Sequence, residues 1–391
     1  MSEVTAVDAV IAGGGLAGLS LAAHLAVSGW GDRRVLVVDD PRARPSAVSW
    51  GFWSARPGLL DSAVSLTYQR VLFRAGGLDR VLPLGRYRYR VVRRPDLSAV
   101  VRRILLPCHG FEFLNGTVEH VAEDGTVTVD GRRVNGAWVF DSVTGPAGHP
   151  PVDARLAFTG WAVRCARPVF DPATPVLFDF RTPQRDGARF LYVLPDDPYR
   201  ALVELTAFVP RHGRPPAAAD RRAALAAYLS DELHAGGYAV SRTESAVLPL
   251  RTRAVPRRHG RVLAIGAAAG LVKASTGYAY ERIQRDSAAI ARSLVRHGHP
   301  FDPGPVRRRY RLLDAVLLDV FDRDPAAIEG AFARLFAALP AERVLRFLDE
   351  DDTAIDVLRV MAALPPRPYR LRRNLPDEVP NPPALTGLWR H

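Results

Sequence analysis

The chain has 391 residues, 48% of them hydrophobic and 24% charged, enough for two domains or one elaborated α/β unit around a sizeable core, and nothing in it suggests disorder. A net charge of +12 invites a nucleic-acid or acidic-membrane partner,. Lys273 is the only lysine, however, and the arginines are spread from end to end with no basic block or interleaved aromatics. Nucleic acid is therefore excluded as an expected partner, while weak attraction to an anionic membrane surface stays open.

Val7–Ala12 is a run of small and β-branched apolar residues and predicts a buried parallel strand,. A glycine-rich turn follows, then a helix from Leu16 to Ser28. A second apolar run, Val35–Val38, ends at Asp39-Asp40 and completes a βαβ unit,. Residues 45–85 read as irregular, with Trp50, Phe52 and Trp53 close together. From Phe111 to Val143 the pattern is a β-meander with Asp-Gly hairpin signals at Asp124-Gly125 and Asp130-Gly131, ending in a return strand, Trp138–Asp141,. Further strands are expected at Phe190–Leu194 and Arg200–Phe208, with Pro195-Asp196-Asp197 as the turn between them,. A Pro/Ala/Arg loop, Arg211–Ala219, precedes a helix near Arg221–His234. A third strand-loop-helix unit covers Arg261–Leu294. Beyond Pro305, Leu312, Leu313, Val316, Leu317 and Val320 recur at helical spacing,.

Gly13-Gly14-Gly15-Leu16-Ala17-Gly18 matches GxGxxG in the required context, after a strand and opening a helix,. Gly13 serves the tight turn, Gly15 lets backbone approach a pyrophosphate, and Gly18 lets helix and strand pack closely. The helix N-terminus then faces phosphate with open N–H groups. Asp39, or Asp40 in its place, would bind the ribose hydroxyls. NAD fits this fingerprint equally well, but three features favour FAD. Arg94-Pro95-Asp96-Leu97 precedes a helix that puts Arg94 beside the cofactor. The meander at 111–143, where Val118 is expected to touch the cofactor, is an insertion typical of split FAD folds. A second small-residue turn, Gly266 to Gly270 after Val262–Ile265, opens another helix towards the ribityl chain and ring. Flavoprotein hydroxylases usually carry Gly-Asp at that turn; here the second residue is Ala267.

Cys108 and Cys165 are too few for a disulfide framework and no CxxC spacing exists, so a reducing cytoplasm fits and no metal site is expected,. The N-terminal residues do not read as a signal peptide, and no run of about 18 apolar residues spans a bilayer.

Over most of its length the sequence resembles the lycopene cyclases that make β-rings on carotenoids. The residues that carry this are Val139-Phe140-Asp141-Ser142, Phe158-Thr159-Gly160, Phe178-Asp179-Phe180-Arg181, Phe190–Pro195, Leu202-Val203-Glu204-Leu205-Thr206, Val247-Leu248-Pro249, Ile265–Gly270 with Ser275-Thr276-Gly277-Tyr278, Leu345-Arg346-Phe347-Leu348 and Ala363-Leu364-Pro365. The resemblance implies an α/β (α+β) fold of the flavoprotein hydroxylase type. A split Rossmann-like FAD-binding domain (1–60, 86–145, 255–300) would carry an inserted β-sheet substrate domain (61–85, 146–254) and a C-terminal helical region (301–391). It also implies reduced FAD, with NAD(P)H as electron source, in a redox-neutral reaction. A carboxylic acid protonates the terminal alkene of a linear polyene, the cation closes a ring, and a proton leaves. Such a hydrophobic substrate implies peripheral contact with a membrane from the cytoplasm.

Glu204 is the candidate acid. In an extended strand Leu202, Glu204, Thr206 and Phe208 share one face and Val203, Leu205 and Ala207 the other, so the carboxyl stands among apolar neighbours,. A salt bridge with one of the many arginines is the plain alternative. Thr206, Glu244 and Trp53 are expected in the substrate pocket. Thr276, Gly277 and Tyr278 are expected to open a helix beside the flavin, with Tyr278 facing the cation or simply packing. Lys273 is a candidate for flavin or phosphate contact, or a solvated loop residue. Three positions depart from the family pattern: Leu205 where a second acid is usual, Ala246 where glycine is, and Ala274 where proline often is. The first two are expected to touch the pocket. The alternatives are a family cyclase acting on another polyene or terpenoid, a flavin monooxygenase or prenyl reductase, and a non-catalytic polyene-binding flavoprotein.

Overall fold

A strand whose side chains are apolar on both faces must be covered on both, and β1 (Thr5–Ala12) is. Ala9 and Ile11 pack against α1 (Leu16–Leu25), whereas Val10 packs with Val127, Val129 and Val134 of the meander,. The computed structural model describes residues 5–42, 48–144, 151–184, 187–301 and 308–364. Pro305, Pro365 and the rest of the C-terminal region from 365 onwards lie outside the described residues.

Three sheets organise the chain. The first has eight strands and a parallel centre in the order β18 (Val262–Ala264), β11 (Arg132–Asp141), β1, β2 (Val35–Asp39), β8 (Phe111–Asn115). The short β17 (Arg258–His259) pairs with β18, and β10 (Thr126–Val129) and β9 (Val118–Val121) fold back from β11. Asp130-Gly131 is the hairpin turn, as expected. The return strand starts at Arg132, well before Trp138, because its N-terminal half already pairs with both β1 and β10. α2 (Arg94–Leu105) and α4 (Tyr280–His297) join α1 on the helical face.

The second sheet has seven strands in the order β16 (Tyr238–Leu250), β12 (Ala154–Cys165), β15 (Arg200–Pro210), β14 (Ala188–Asp197), β13 (Val176–Asp179), β5 (Arg70–Ala75), β6 (Leu78–Pro83). The third joins β3 (Ser49–Ser54), β7 (Arg88–Arg93) and β4 (Val64–Tyr68). Residues 45–85 are therefore strands over most of the described stretch. Their alternation is masked in sequence because β5 buries Val71, Phe73 and Ala75 on one face while Leu72 packs on the other. β14 runs on to Asp197, so the turn is Pro198-Tyr199; the Asp197 carboxylate accepts from the N–H groups of Tyr199 and Arg200, both at 2.8 Å,.

One face of the second sheet is covered by α3 (Ala218–Ala227) and the turn after it, through Leu225, Tyr228 and Leu229. The other face packs partly on the C-terminal helices α5 (Arg308–Arg323), α6 (Ala327–Ala338) and α7 (Ala341–Leu348), with α8 (Ala354–Ala363) outside them. Phe208 meets Phe321 at 5.8 Å and Phe178 meets Phe332 at 5.1 Å between ring centroids.

At Gly18 the helix lies so close to the first turn that a Cβ would sit 1.9 Å from the carbonyl oxygen of Gly13. Backbone cannot yield there as a side chain would. Gly18→Ala is expected to cost about 1–3 kcal/mol, read as a lower urea midpoint; an unchanged midpoint would show that α1 can lift off the strand freely.

Candidate active site

Helix α1 begins at Gly15 with no side-chain cap and no acid in its first turn. Its N–H groups are left open for an anion. A cavity of about 330 Å³ starts there: Gly15, Leu16, Ala17, Arg94, Ser142, Gly266 and Ala267 form part of its lining. Another part is the exposed remainder of the second sheet, and Trp50, Gly51, Tyr89, Thr276, Gly277 and Tyr278 complete it. A dinucleotide's pyrophosphate fits the first part, where a helix N-terminus, an arginine and two small-residue turns converge.

Asp39 stands at the end of β2, where its Oδ1 accepts from the N–H of Gly14 at 3.3 Å and its Oδ2 from Arg94 Nη2 at 2.5 Å. Arg94 also donates to the Gly14 carbonyl at 3.4 Å. Glycine turn, acid and arginine are thus one hydrogen-bonded unit. Asp40 turns away, accepting from Thr117 Oγ1 at 2.5 Å and from the N–H of Arg42 at 2.9 Å. Val118 is half-buried in β9 beside the meander core, and Gly13, Gly18 and Gly270 stand behind the cavity lining.

The sheet wall is built by register. Tyr192, Glu204, Gly160 and Glu244 pair in one row across β14, β15, β12 and β16. Side chains in one row share a face. The next rows bring Thr206, Phe158 and Ala246 on one side of Glu204 and Leu194 and Leu202 on the other, all lining the cavity. Leu205 faces the opposite side, buried beneath α3 with Leu191 and Val203. The departure at that position therefore does not touch the cavity, whereas the one at Ala246 does. Ala274 is in the core.

Glu204 accepts from Thr206 Oγ1 at 2.9 Å, and no arginine pairs with it among the described hydrogen bonds and ion pairs. Burial, with the nearby Glu244 carboxyl as second cause, pushes its pKa from the ordinary 4.5 up to about 8; the Thr206 hydrogen bond pulls weakly the other way,. Three tyrosines stand beside it. Tyr278 Oη donates to Tyr192 Oη and pairs with Tyr89 Oη, each at 3.3 Å, and burial holds all three far above pH 10 as neutral phenols. Tyr89 and Tyr192 are missed by sequence reasoning: strand pairing brings Tyr192 to Glu204, and the packing of the third sheet against the second brings Tyr89. Gly51 makes room for Tyr89, since a Cβ there would sit 2.1 Å from its hydroxyl.

Trp50 lines the cavity, but Trp53 stands behind Tyr278, ring centroids 4.3 Å apart, and Phe52 stacks on Tyr280 at 3.9 Å. α4 starts only at Tyr280: Gly277 has φ +78°, which ends any helix through 276–278, and Thr276 to Ala279 form a loop over the cavity,. Lys273 is neither solvated nor aimed at the cavity. Its Nζ is buried, 3.1 Å from Asp314 of α5 and 3.0 Å from Glu350 after α7, and its backbone bonds Thr276, Gly277 and Tyr278. It pins the loop to the C-terminal helices.

A family model described as lycopene cyclase protein matches residues 8–374. No curated protein matches the chain in sequence. Among solved structures, a geranylgeranyl bacteriochlorophyll reductase-like protein from Thermoplasma acidophilum is 14% identical with a TM-score of 0.59, covering 92% of this chain and 96% of that one. A flavin-dependent halogenase from Xanthomonas campestris is 15% identical with a TM-score of 0.57 over 93% and 90%. A p-nitrophenol 4-monooxygenase from Pseudomonas putida is 16% identical with a TM-score of 0.53 over 92% and 97%. These likenesses show the fold, that of the flavoprotein hydroxylases.

Folded Glu204 keeps its proton to about pH 8, whereas the unfolded chain releases it near 4.5. The unfolded state then binds fewer protons, so this group costs stability increasingly as pH rises from 4.5 to 8. Glu204→Gln is expected to melt above wild type by a margin that grows across that window and vanishes below it. A margin independent of pH in a melting series would contradict the buried, protonated acid.

Proposed function

The chain belongs to the lycopene cyclase family, and from that premise we propose that it is a redox-neutral cyclase: it protonates the terminal alkene of a linear polyene, lycopene or a related carotenoid, and closes a β-ionone-type ring. The observation that carries the reading is Glu204, an acid without a cationic partner in an apolar wall, protonated at neutral pH. Alkene protonation needs such a group, because burial keeps the acid neutral until the carbon takes its proton. Glu204 gives its proton to the less substituted carbon of the terminal alkene, which leaves a tertiary cation for the next double bond to attack. The faces of Trp50 and Tyr278 and the neutral phenols of Tyr89 and Tyr192 surround the resulting cation,. Leu156, Phe158, Leu194 and Leu248 exclude the water that would trap it as an alcohol,. Loss of a ring proton completes an isomerisation with no net electron transfer.

The cofactor in this reading is FAD, its pyrophosphate on the α1 N-terminus, its ribose at Asp39, and its ring beside Gly266, Thr276 and Gly277. When bound and reduced at the expense of NAD(P)H, it supplies negative charge near the cation.

No helix among the described residues is long and apolar enough to cross a membrane. A polyene dissolved in a bilayer must still reach the cavity, so a peripheral contact on the cytoplasmic side belongs to the proposal. Ile355, Leu358 and Met361 on the exposed side of α8, 60%, 69% and 38% accessible, support that contact,. A second cavity of about 400 Å³, lined by Leu313, Leu317, Phe332, Phe347, Val360 and Leu364, supports an apolar route past α8. A second reading keeps the chemistry and changes the polyene, because Ala246 adds a methyl to the wall where the family has glycine.

Expression in a lycopene-accumulating host tests both readings. Wild type is expected to yield γ- or β-carotene, and Glu204→Gln to lose at least about 100-fold of that activity. Activity should fall as pH rises through about 8, where Glu204 ionises. Unchanged lycopene with folded, FAD-loaded protein would overturn the carotenoid reading, and NADPH consumed in step with product would make the enzyme a reductase or monooxygenase instead.

A further inference from the structure

Gly160 is the position in β12 whose two neighbours in the row are both glutamates, Glu204 on β15 and Glu244 on β16. A side chain at 160 would stand between them. An added Cβ would lie 3.1 Å from Glu244 Cγ, 3.1 Å from Leu202 Cδ1 and 3.3 Å from Glu244 Oε1. The space over Gly160 is thus shared by the Glu244 side chain, its carboxyl included, and a methyl of Leu202. Glu244 is 2% accessible and does not line the cavity. Its Oε2 accepts from the N–H of Ser49 at 3.1 Å, while its Oε1 is buried with no partner among the described residues. An acceptor oxygen left bare in the core, beside a second carboxyl, is costly unless it serves that neighbour.

The surroundings of the two acids differ. Arg242 of β16 and Arg93 at the end of β7 bear on Glu244, and Arg242 also reaches Ser49 Oγ at 3.4 Å. Glu204 is met by Thr206, by neutral Tyr89, Tyr192 and Tyr278, and by no cation among the described residues. When two carboxyls cannot both ionise, the one near cations ionises first.

The geometry points to a single-proton pair: Glu244, ionised behind the cavity wall, is a positioning residue that acts through the gap at Gly160 to hold the proton on Glu204. Burial raises both carboxyls above the ordinary range, and Arg242, the Ser49 hydrogen bond and Arg93 hold Glu244 back where Glu204 has only Thr206. The pair also resets the acid. Once Glu204 has given up its proton, two carboxylates face each other in a dry row, and that repulsion raises the affinity of Glu204 for a replacement proton.

This rests on Glu204 as the acid but not on the identity of the polyene, and its test needs no substrate. The carbonyl stretch of protonated carboxyls is followed by infrared titration of the FAD-loaded protein in wild type, Glu204→Gln and Glu244→Gln. Gln keeps an acceptor for Ser49 and nearly the same volume. Because Glu244 ionises while Glu204 is still neutral, Glu244→Gln is expected to lower the Glu204 midpoint by at least about one unit, a tenfold change in proton affinity, and Glu204→Gln to leave the Glu244 midpoint nearly where it was. With turnover present, Glu244→Gln also moves the alkaline limb of the pH profile down by that shift. A Glu204 midpoint that stays within about 0.3 unit in Glu244→Gln overturns the pair, leaving Glu244 a cap for Ser49. If Glu244→Gln does not fold, Glu204→Gln decides alone: it is expected to remove the higher of the two wild-type midpoints, and removal of the lower one overturns the pair. A lowered Glu204 midpoint in Glu244→Gln without ring formation would sink the cyclase reading and leave the pair standing.

Discussion

A carboxyl group set in an apolar wall without a cation keeps its proton, and the arrangement of the second sheet follows from that constraint. The cost of burying Glu204 is met by neutralising it rather than by pairing it. Every neighbour that would have ionised it is absent or itself neutral: three phenols beside it, aliphatic and aromatic side chains in the rows above and below, and arginines only beyond Glu244. A folded protein that tolerates such a group gives up stability at neutral pH and gains a carboxyl that still carries a proton to donate there,.

Around that wall the rest of the molecule reads as support. The parallel sheet and α1 create an anion-binding turn whose acid and arginine are already hydrogen-bonded to it. The loop from Lys273 to Ala279 joins this half to the sheet wall, and Lys273 fixes it to the C-terminal helices through Asp314 and Glu350. Those helices cover the part of the sheet face that the cavity leaves, so one continuous apolar surface serves both as core and as the proposed substrate wall.

Much of this was legible in the sequence because it depends on local pattern. The Gly13–Gly18 turn, the acid at the end of β2, the hairpin at Asp130-Gly131 and the alternation that sets Glu204 apart from Leu205 are all written within a dozen residues. What stayed hidden depends on pairing between distant strands. Nothing local says that Tyr192 and Glu244 share a row with Glu204, that Tyr89 reaches it through the space left by Gly51, or that Gly160 leaves the row open. The short strands between 49 and 83 hid for a related reason: Leu72 packs on the second face of β5 and blurs the alternation set by Val71, Phe73 and Ala75,. Lys273 was ambiguous because its partners lie dozens of residues away, on α5 and beyond α7.

The claim at the centre is that an enzyme acid, not an oxidant or a hydride, attacks the polyene. Ring formation in heavy water tests it directly. The exchangeable proton on Glu204 becomes deuterium, so the cyclised product should gain one deuterium for each ring formed, with no oxygen added and no carbon reduced. A ring formed without deuterium, or a product whose mass records oxygen or hydride transfer, would contradict the account.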